Sequence, residues 1–375
     1  MKIAVLGAGM VGRTIALDLA KSYEVHSFDK SAVSLSILKE MNNQIHIHEK
    51  DLQQYEQYNT FLASFQYVIT AVPGFMGYAC LEAVIKAGKN VADISFFPED
   101  ALNLHSLAKE MNVTVITDVG VAPGMSNLIL GRYNSLMQVH NFEFYVGGLP
   151  QSPHPPFFYK APFSPIDVIE EYTRPARLRE KGQLVTKEAL SEREMMTFDG
   201  VGTMEAFNTD GLRSLLYTLP HIPEMKEKTL RYPGHIDLII ALRDSGFFET
   251  SPKKMGALSL SPIEFTANLL MDNWKLGAHE PELTVMKVIV EGEENGSPKK
   301  VVYDLLDFYD QTTGLSSMSR STGYTCTAAL QLIIKGLFTQ KGVYPPEFVG
   351  SEEVCFDFII QYLKERGVEW TKKES

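Results

Sequence analysis

The chain has 375 residues, a formal net charge of −11, and 45% hydrophobic and 22% charged residues. That length exceeds what one hydrophobic core usually organises and predicts two domains, and the acidic balance excludes nucleic acid or an anionic membrane as partner, since both require a basic face. Cys80, Cys326 and Cys355 are few, odd in number and far apart, which fits free thiols in a reducing cytoplasm better than a disulfide framework. No leader-like pattern precedes the first strand and no apolar run approaches the roughly 18–20 residues that cross a bilayer, so a cytoplasmic protein without membrane insertion is expected.

At the amino terminus the apolar run Lys2-Ile3-Ala4-Val5-Leu6 meets Gly7-Ala8-Gly9-Met10-Val11-Gly12, and Asp29 follows about one βαβ unit later. In such a fingerprint the first glycine permits a tight strand-to-helix turn, the second lets backbone N–H groups approach a pyrophosphate, and the third lets helix and strand pack closely. The helix N-terminus adds partial positive charge. Asp29, at the end of the second strand, suits the ribose hydroxyls of NAD and would repel a 2′-phosphate, although Lys30 and Ser31 leave some room for NADP.

Apolar strands at 2–6, 23–28, 44–48, 66–72, 89–94 and 113–117 alternate with helical stretches at 31–42, 51–64, 76–87 and 98–111. Six such strands make a doubly wound parallel α/β sheet of the Rossmann type, with its ligand across the carboxyl ends of the strands. Beyond the glycines, this places Asp51, Ala71, Val72, Pro73, Asp93 and Asp118 near a cofactor. Asp51 either approaches the adenine or caps a helix. His46 and His48 share one face of a strand and lack a third ligand of suitable spacing, so no metal site is expected.

After Asp118 the pattern changes to mixed α+β. A helix is expected near 125–137, a strand at 141–146, a Pro- and aromatic-rich ordered loop at 150–165, a hairpin of 283–291 with 299–309, and an apolar helix at 326–338. The predicted domains are a nucleotide-binding Rossmann domain at 1–119, an α+β substrate domain at 120–317, and C-terminal helices at 318–375 that return to the first domain.

Five motifs then occur in order: Thr117-Asp118-Val119-Gly120-Val121-Ala122-Pro123-Gly124-Met125, Tyr145-Val146-Gly147-Gly148-Leu149-Pro150, Phe163-Ser164-Pro165, Glu205-Ala206-Phe207, and Thr229-Leu230-Arg231-Tyr232-Pro233-Gly234-His235. With the glycine fingerprint they resemble the saccharopine dehydrogenase family, in its lysine 6-dehydrogenase branch. The resemblance implies NAD-dependent oxidative deamination at the ε-carbon of L-lysine, giving 2-aminoadipate 6-semialdehyde and ammonia, by a homodimer. Saccharopine reductases characteristically carry Asn-Arg-Asp where this chain has Asn208-Thr209-Asp210, and an acidic residue where it has Ala122. Both departures favour a smaller amino acid over a dicarboxylate adduct. A saccharopine- or carboxyspermidine-type reductase and a non-catalytic NAD-binding regulatory protein are the rival readings.

Hydride loss from an amine carbon requires the neutral amine, so some group must accept a proton. Asp118 is one candidate, with turn capping as its alternative. His235 is the other, with a structural histidine as its alternative. Arg213 and Arg231 are candidate grips for the α-carboxylate and Asp210 for an amino group, or all three sit in ion pairs. Gly147 and Gly148 allow close approach of a ligand, or mark a bulge.

Overall fold

The computed structural model describes residues 1–161, 165–256, 258–277 and 279–375. The Phe163-Ser164 part of the third motif therefore lies outside the described residues. The chain divides into two compact units, one of Met1–Gln138, Glu294–Gly296 and Ser319–Trp370, the other of Val139–Glu293, Ser297–Met318 and Thr371–Ser375.

The first unit is built on β1 (Lys2–Leu6), β2 (Glu24–Asp29), β3 (His46–Glu49), β4 (Tyr67–Thr70), β5 (Asn90–Asp93) and β6 (Thr114–Ile116). They pair in parallel in the order β6-β5-β4-β1-β2-β3, and a seventh strand, Gly342–Tyr344, adds in parallel beyond β6. The central strands β1, β4, β5 and β6 are short runs buried on both faces, as a sheet covered by helices requires, whereas β3 at the edge has no fully buried residue. The expected helix at 51–64 is reduced to the single turns Tyr55–Gln57 and Tyr58–Phe61, and the one at 98–111 to Ala101–Leu104 and His105–Glu110. Asp51 starts a turn instead, its carboxylate accepting from the Gln53 N–H at 3.0 Å. It is exposed and caps backbone, the geometry of the capping alternative.

From Ser319 onward the helix Ser317–Ile334 lies in this unit, anchored through Asp18 of the first helix, α1 (Met10–Leu19). The buried Asp18 carboxylate accepts from Thr327 Oγ1 at 2.9 Å, Tyr362 Oη at 2.7 Å and Arg366 Nε at 2.8 Å, tying three helical regions to one charge. Gly131 and Gly350 let the helices Met125–Asn134 and Pro346–Ser351 touch backbone to backbone. A Cβ on Gly131 would lie 2.0 Å from the Glu347 carbonyl oxygen, and one on Gly350 2.1 Å from that of Leu128.

The second unit carries a mixed nine-stranded sheet. Its members include β7 (Gln138–Pro150), β8 (Ala176–Glu180), β9 (Gln183–Lys187), β10 (Glu194–Phe198), β11 (Gly202–Asn208) and β12 (Glu224–Arg231). The order β10-β11-β12-β7 continues into the hairpin Glu282–Glu294/Ser297–Phe308 and the final strand Trp370–Glu374. The pair β12/β7 is parallel, whereas β10/β11, β11/β12 and β8/β9 are antiparallel. The hairpin turn is tighter than expected: only Asn295 (φ 54) and Gly296 (φ 80) lie outside the strands, the backbone of a type I′ turn.

Candidate functional site

At the carboxyl end of β1 each fingerprint glycine has its own physical reason. Gly7 has φ 109, and a Cβ there would meet the Ala71 carbonyl oxygen at 2.2 Å; a Cβ on Gly12 would lie 2.1 Å from the Gly7 carbonyl oxygen. Gly9 is different: it is exposed and its Cβ position has nothing within 4 Å. Gly9 is also the N-cap of α1 and supplies no side-chain cap, so the N–H groups of the first turn, beginning at Met10 and Val11, face an open cradle. Those features fit the diphosphate of a dinucleotide cofactor.

Asp29 closes one side of this cradle. Its carboxylate accepts from the Ala8 N–H at 2.6 Å and from the Ser31 N–H at 2.8 Å, which fixes both the glycine loop and the start of the next helix. Arg13, which the sequence reading passed over, donates from Nη1 to the Ala8 carbonyl at 3.0 Å. Burial lowers the pKa of Arg13 while the charge of Asp29 opposes that shift. A carboxylate and a guanidinium thus flank the place expected for the adenosine ribose. The signal for Arg13 was its position directly after Gly12.

Ala71, Val72 and Pro73 follow β4 beside Gly7. The Ala71 N–H donates to Leu6 O at 2.8 Å and the Val72 N–H to Ser95 Oγ at 3.2 Å, while Pro73 is exposed. Asp93 does not reach a ligand. It is fully buried and accepts from Thr70 Oγ1 at 2.6 Å, Ser95 N at 3.2 Å and Thr117 Oγ1 at 3.2 Å, locking the ends of β4, β5 and β6 together. Burial pushes its carboxyl up to about 7 against those hydrogen bonds, and the nearby charge of Asp118 pushes the same way. The expected cofactor contact of Asp93 is corrected to this support, because a group without solvent-facing surface cannot touch the dinucleotide.

Asp118 follows β6 with φ 55, a left-handed conformation that only a few per cent of non-glycine residues adopt, asparagine and aspartate most readily. Its loop doubles back on itself: the Gly120 N–H donates to Pro123 O at 3.0 Å and Met125 N–H to Gly120 O at 3.1 Å. A Cβ on Gly124 would lie 1.8 Å from the Gly120 carbonyl oxygen. Gly120 in turn rests against Thr322, whose Cγ2 would be 3.1 Å from an added Cβ. Backbone held this way at a strand end is the kind of strain that sites use.

In the second unit the remaining candidates are engaged with one another. His235 is fully buried, with Nδ1 2.8 Å from Phe157 O and Nε2 2.9 Å from Tyr172 Oη. Nδ1 therefore carries the proton and Nε2 accepts. Burial, followed by the charge of Arg231, lowers its pKa to about 3. His235 is corrected from a titrating base to a neutral structural ring among Tyr159, Tyr172 and Trp274. Arg231 donates from Nε to Tyr172 Oη at 2.9 Å, from Nη1 to Leu230 O at 2.9 Å and from Nη2 to Glu171 Oε2 at 2.8 Å, and stacks 4.3 Å from the Tyr159 ring centroid. Asp210 is held bidentately by Arg177, with Nε–Oδ1 2.9 Å and Nη2–Oδ2 2.8 Å. Arg213 is buried, carries φ 55 and has its interactions made. Arg231 and Asp210 spend their charges on Glu171 and Arg177, so the substrate roles expected of these two are corrected to ion pairing. Gly147 lies inside β7, where a Cβ would come 2.9 Å from the Leu230 Cβ of neighbouring β12; Gly148 is buried in the same strand. Close strand packing explains Gly147, and burial removes Gly148 from solvent, so the expected ligand contact of both is corrected.

Residues 3–116 match the family model described as saccharopine dehydrogenase NADP binding domain, and residues 120–368 match the saccharopine dehydrogenase C-terminal domain. The chain belongs to the saccharopine dehydrogenase family. The alpha-aminoadipic semialdehyde synthase of Arabidopsis thaliana is 21% identical over 220 residues, 55% of this chain and 21% of that protein. The saccharopine dehydrogenase [NADP(+), L-glutamate-forming] of Pyricularia oryzae is 26% identical over 201 residues, 50% of this chain and 44% of its own length. The matched stretches thus span less than half of these relatives. Apo saccharopine dehydrogenase (L-Glu forming) from Saccharomyces cerevisiae shares the fold, with a TM-score of 0.81, 18% identity and coverage of 100% and 99% of the two chains. Among the described residues of this family member no helix is long and apolar enough to cross a membrane.

The His235 geometry gives a pH prediction. With a folded-state pKa depressed from 6.5 to about 3, the unfolded chain binds one more proton between those values. Stability contributed by the neutral ring is therefore complete above pH 6.5 and lost as pH falls, by at most about 1.4 kcal/mol per pH unit. Asp93 and Glu227, both raised by burial, change stability in the opposite sense. Denaturant titrations of the parent and His235→Gln between pH 4.5 and 7.5 are expected to converge toward low pH; curves that stay parallel contradict a buried neutral imidazole.

Proposed function

We propose that this member of the saccharopine dehydrogenase family is an NAD-dependent dehydrogenase of a CH–NH2 carbon, acting on L-lysine at its ε-carbon. The observation that carries the reading is the open cradle over Gly9 beneath the uncapped N-terminus of α1, with the Asp29 carboxylate at its side. Family membership supports the reaction class. In the overall reaction the ε-ammonium, NAD+ and water give the aldehyde, ammonium, NADH and a proton.

A nicotinamide held there would supply the hydride acceptor for the amine-bearing carbon. The chain's own residues position it and manage charge. Gly9 admits the diphosphate, Met10 and Val11 offer backbone N–H groups, and Asp29 accepts from the ribose diol with the lone pairs that Ala8 and Ser31 leave over. Asp118 takes the proton released as the ε-ammonium becomes the neutral amine. Asp118→Asn is expected to lower kcat by about 100-fold while leaving the NADH Kd unchanged; an unchanged kcat removes Asp118 from the chemistry.

Thr209 supports the small substrate. It stands where saccharopine reductases characteristically carry arginine, and its Oγ1 donates to Glu227 Oε2 at 2.6 Å beneath the surface. Burial pushes the Glu227 carboxyl up to about 8, so this pair brings no cation for a second dicarboxylate. A saccharopine-type secondary-amine substrate is the second reading, favoured by the names of the curated relatives.

The coenzyme remains part of the proposal, since the family model is described as NADP binding and Arg13 stands next to Asp29. Asp29 supports NAD: its charge opposes a 2′-phosphate and its oxygens suit a diol. Asp29→Ser is expected to shift the ratio of kcat/KM toward NADP+ by about tenfold or more, roughly 1.4 kcal/mol. A panel of amino acids assayed for NADH and NADPH formation tests the whole reading; turnover of saccharopine without turnover of lysine overturns the substrate assignment.

A further inference from the structure

Four titratable side chains gather on one face of the last two strands of the sheet, β2 and β3. Glu24 and His26 come from β2, His46 and His48 from β3, and the parallel register sets His26 directly opposite His46. The sequence shows only the His46/His48 alternation; strand pairing supplies the missing partners. Glu24 Oε1 is 3.1 Å from His26 Nε2 and 3.9 Å from His46 Nε2, and one donor atom from each of the three residues lies within 4.8 Å of the others. The rings of His26 and His46 are stacked, with centroids 4.5 Å apart and planes 17° from parallel, and the Nε2 atoms of both approach the same Glu24 oxygen.

We infer that Glu24, His26 and His46 form a binding site for a divalent transition metal of the zinc class. Bonds of about 2.0–2.1 Å to nitrogen and oxygen in a tetrahedral site place donor atoms about 3.3 Å apart, and the two measured separations bracket that value. Two imidazoles and one carboxylate are a donor set of intermediate softness that prefers Zn2+ over Ca2+ or Mg2+. Three protein ligands leave a fourth position for water. Glu24 and His46 are half-exposed, with side-chain accessibilities of 41% and 53%, which gives an ion its entry.

The surroundings suit a metal in one further respect. His26 Nδ1 lies 2.9 Å from His48 Nε2. With a metal on His26 Nε2, the proton sits on Nδ1 and His48 accepts it, the outer-shell arrangement that fixes the tautomer of a ligating histidine. Lys2 opposes binding, since its Nζ sits 3.1 Å from the same Glu24 oxygen and must leave it. Since β3 is the last strand of the sheet, a bridging ion clamps that edge to β2, the strand that ends at Asp29.

Calorimetric titration of the metal-free full chain with ZnCl2 tests the site, with MgCl2 and CaCl2 as comparison ions. One Zn2+ per chain is expected to bind here, with at least about tenfold weaker binding in His46→Ala and in Glu24→Gln, and tighter binding in Lys2→Ala. His46 is exposed enough that its replacement leaves the fold intact, which the thermal melt of the metal-free variant verifies. Absence of zinc binding, or zinc binding that both the His46 and Glu24 replacements leave unaltered, overturns the assignment.

Discussion

Gly9→Val will fold like the parent and fail to bind NADH. The position is at extended backbone (φ −65, ψ −176) with nothing within 4 Å of a Cβ, so a branched Cβ meets neither backbone strain nor a collision at that atom. Stability should stay within about 0.5 kcal/mol of the parent, as for a surface substitution. The branched side chain nevertheless stands in the cradle beneath the first turn of α1, where a diphosphate must come within hydrogen-bonding distance of backbone N–H groups. We expect the NADH Kd to rise at least about 100-fold, roughly 2.7 kcal/mol, measured by fluorescence titration beside a thermal melt. Gly12→Ala makes the contrast, because its methyl group would lie 2.1 Å from the Gly7 carbonyl oxygen and must displace backbone. That variant loses stability before it loses affinity. Parent-like NADH binding by Gly9→Val would contradict the cofactor placement.

Arg231→Ala is expected to cost about 3–5 kcal/mol of stability, the range for removing one partner of a buried ion pair. The guanidinium is 2% exposed and answers three acceptors at once, so its loss takes the Arg231 ion pair from Glu171, releases the Tyr172 hydroxyl that also bridges to His235, and leaves a void against Tyr159. Arg231→Lys keeps a charge but loses the fork and should recover only part of the deficit. Denaturant unfolding reads the stability, and steady-state kinetics at a temperature where both variants are folded separates the two roles. A structural arginine predicts lower stability with an amino-acid KM within about twofold of the parent; an undiminished stability with a KM raised more than about tenfold would restore it as the carboxylate grip.

The nucleotide half was legible because its signals are local. The order of apolar runs and the glycine spacing express backbone geometry that one strand–turn–helix segment fixes by itself, and Gly7, Gly9 and Gly12 each meet the constraint their position implies. What failed depends on distant chain. Asp93 carries the right residue type at the right strand end, yet Thr70, Ser95 and Thr117 close over it, and only the sheet brings those three together. Asp210 and Arg231 read as substrate grips because Arg177 and Glu171 are 33 and 60 residues away in sequence. His235 lost its base character through burial against Trp274 and Tyr172, which no motif announces. The strand Gly342–Tyr344 escaped notice since three residues carry no periodicity, and β8 to β10 are partly exposed strands whose alternation is weak. His26 and His46 show the opposite case, in which pairing in register assembles a cluster from residues that look ordinary apart.

The most direct measurement follows the nitrogen. L-lysine labelled with 15N at the ε position, incubated with the enzyme and NAD+, should release 15N-ammonium in step with NADH formation, and the carbon product should be the cyclised semialdehyde. Unlabelled ammonium from the α position, or no ammonium alongside glutamate release from saccharopine, would contradict the proposed reaction.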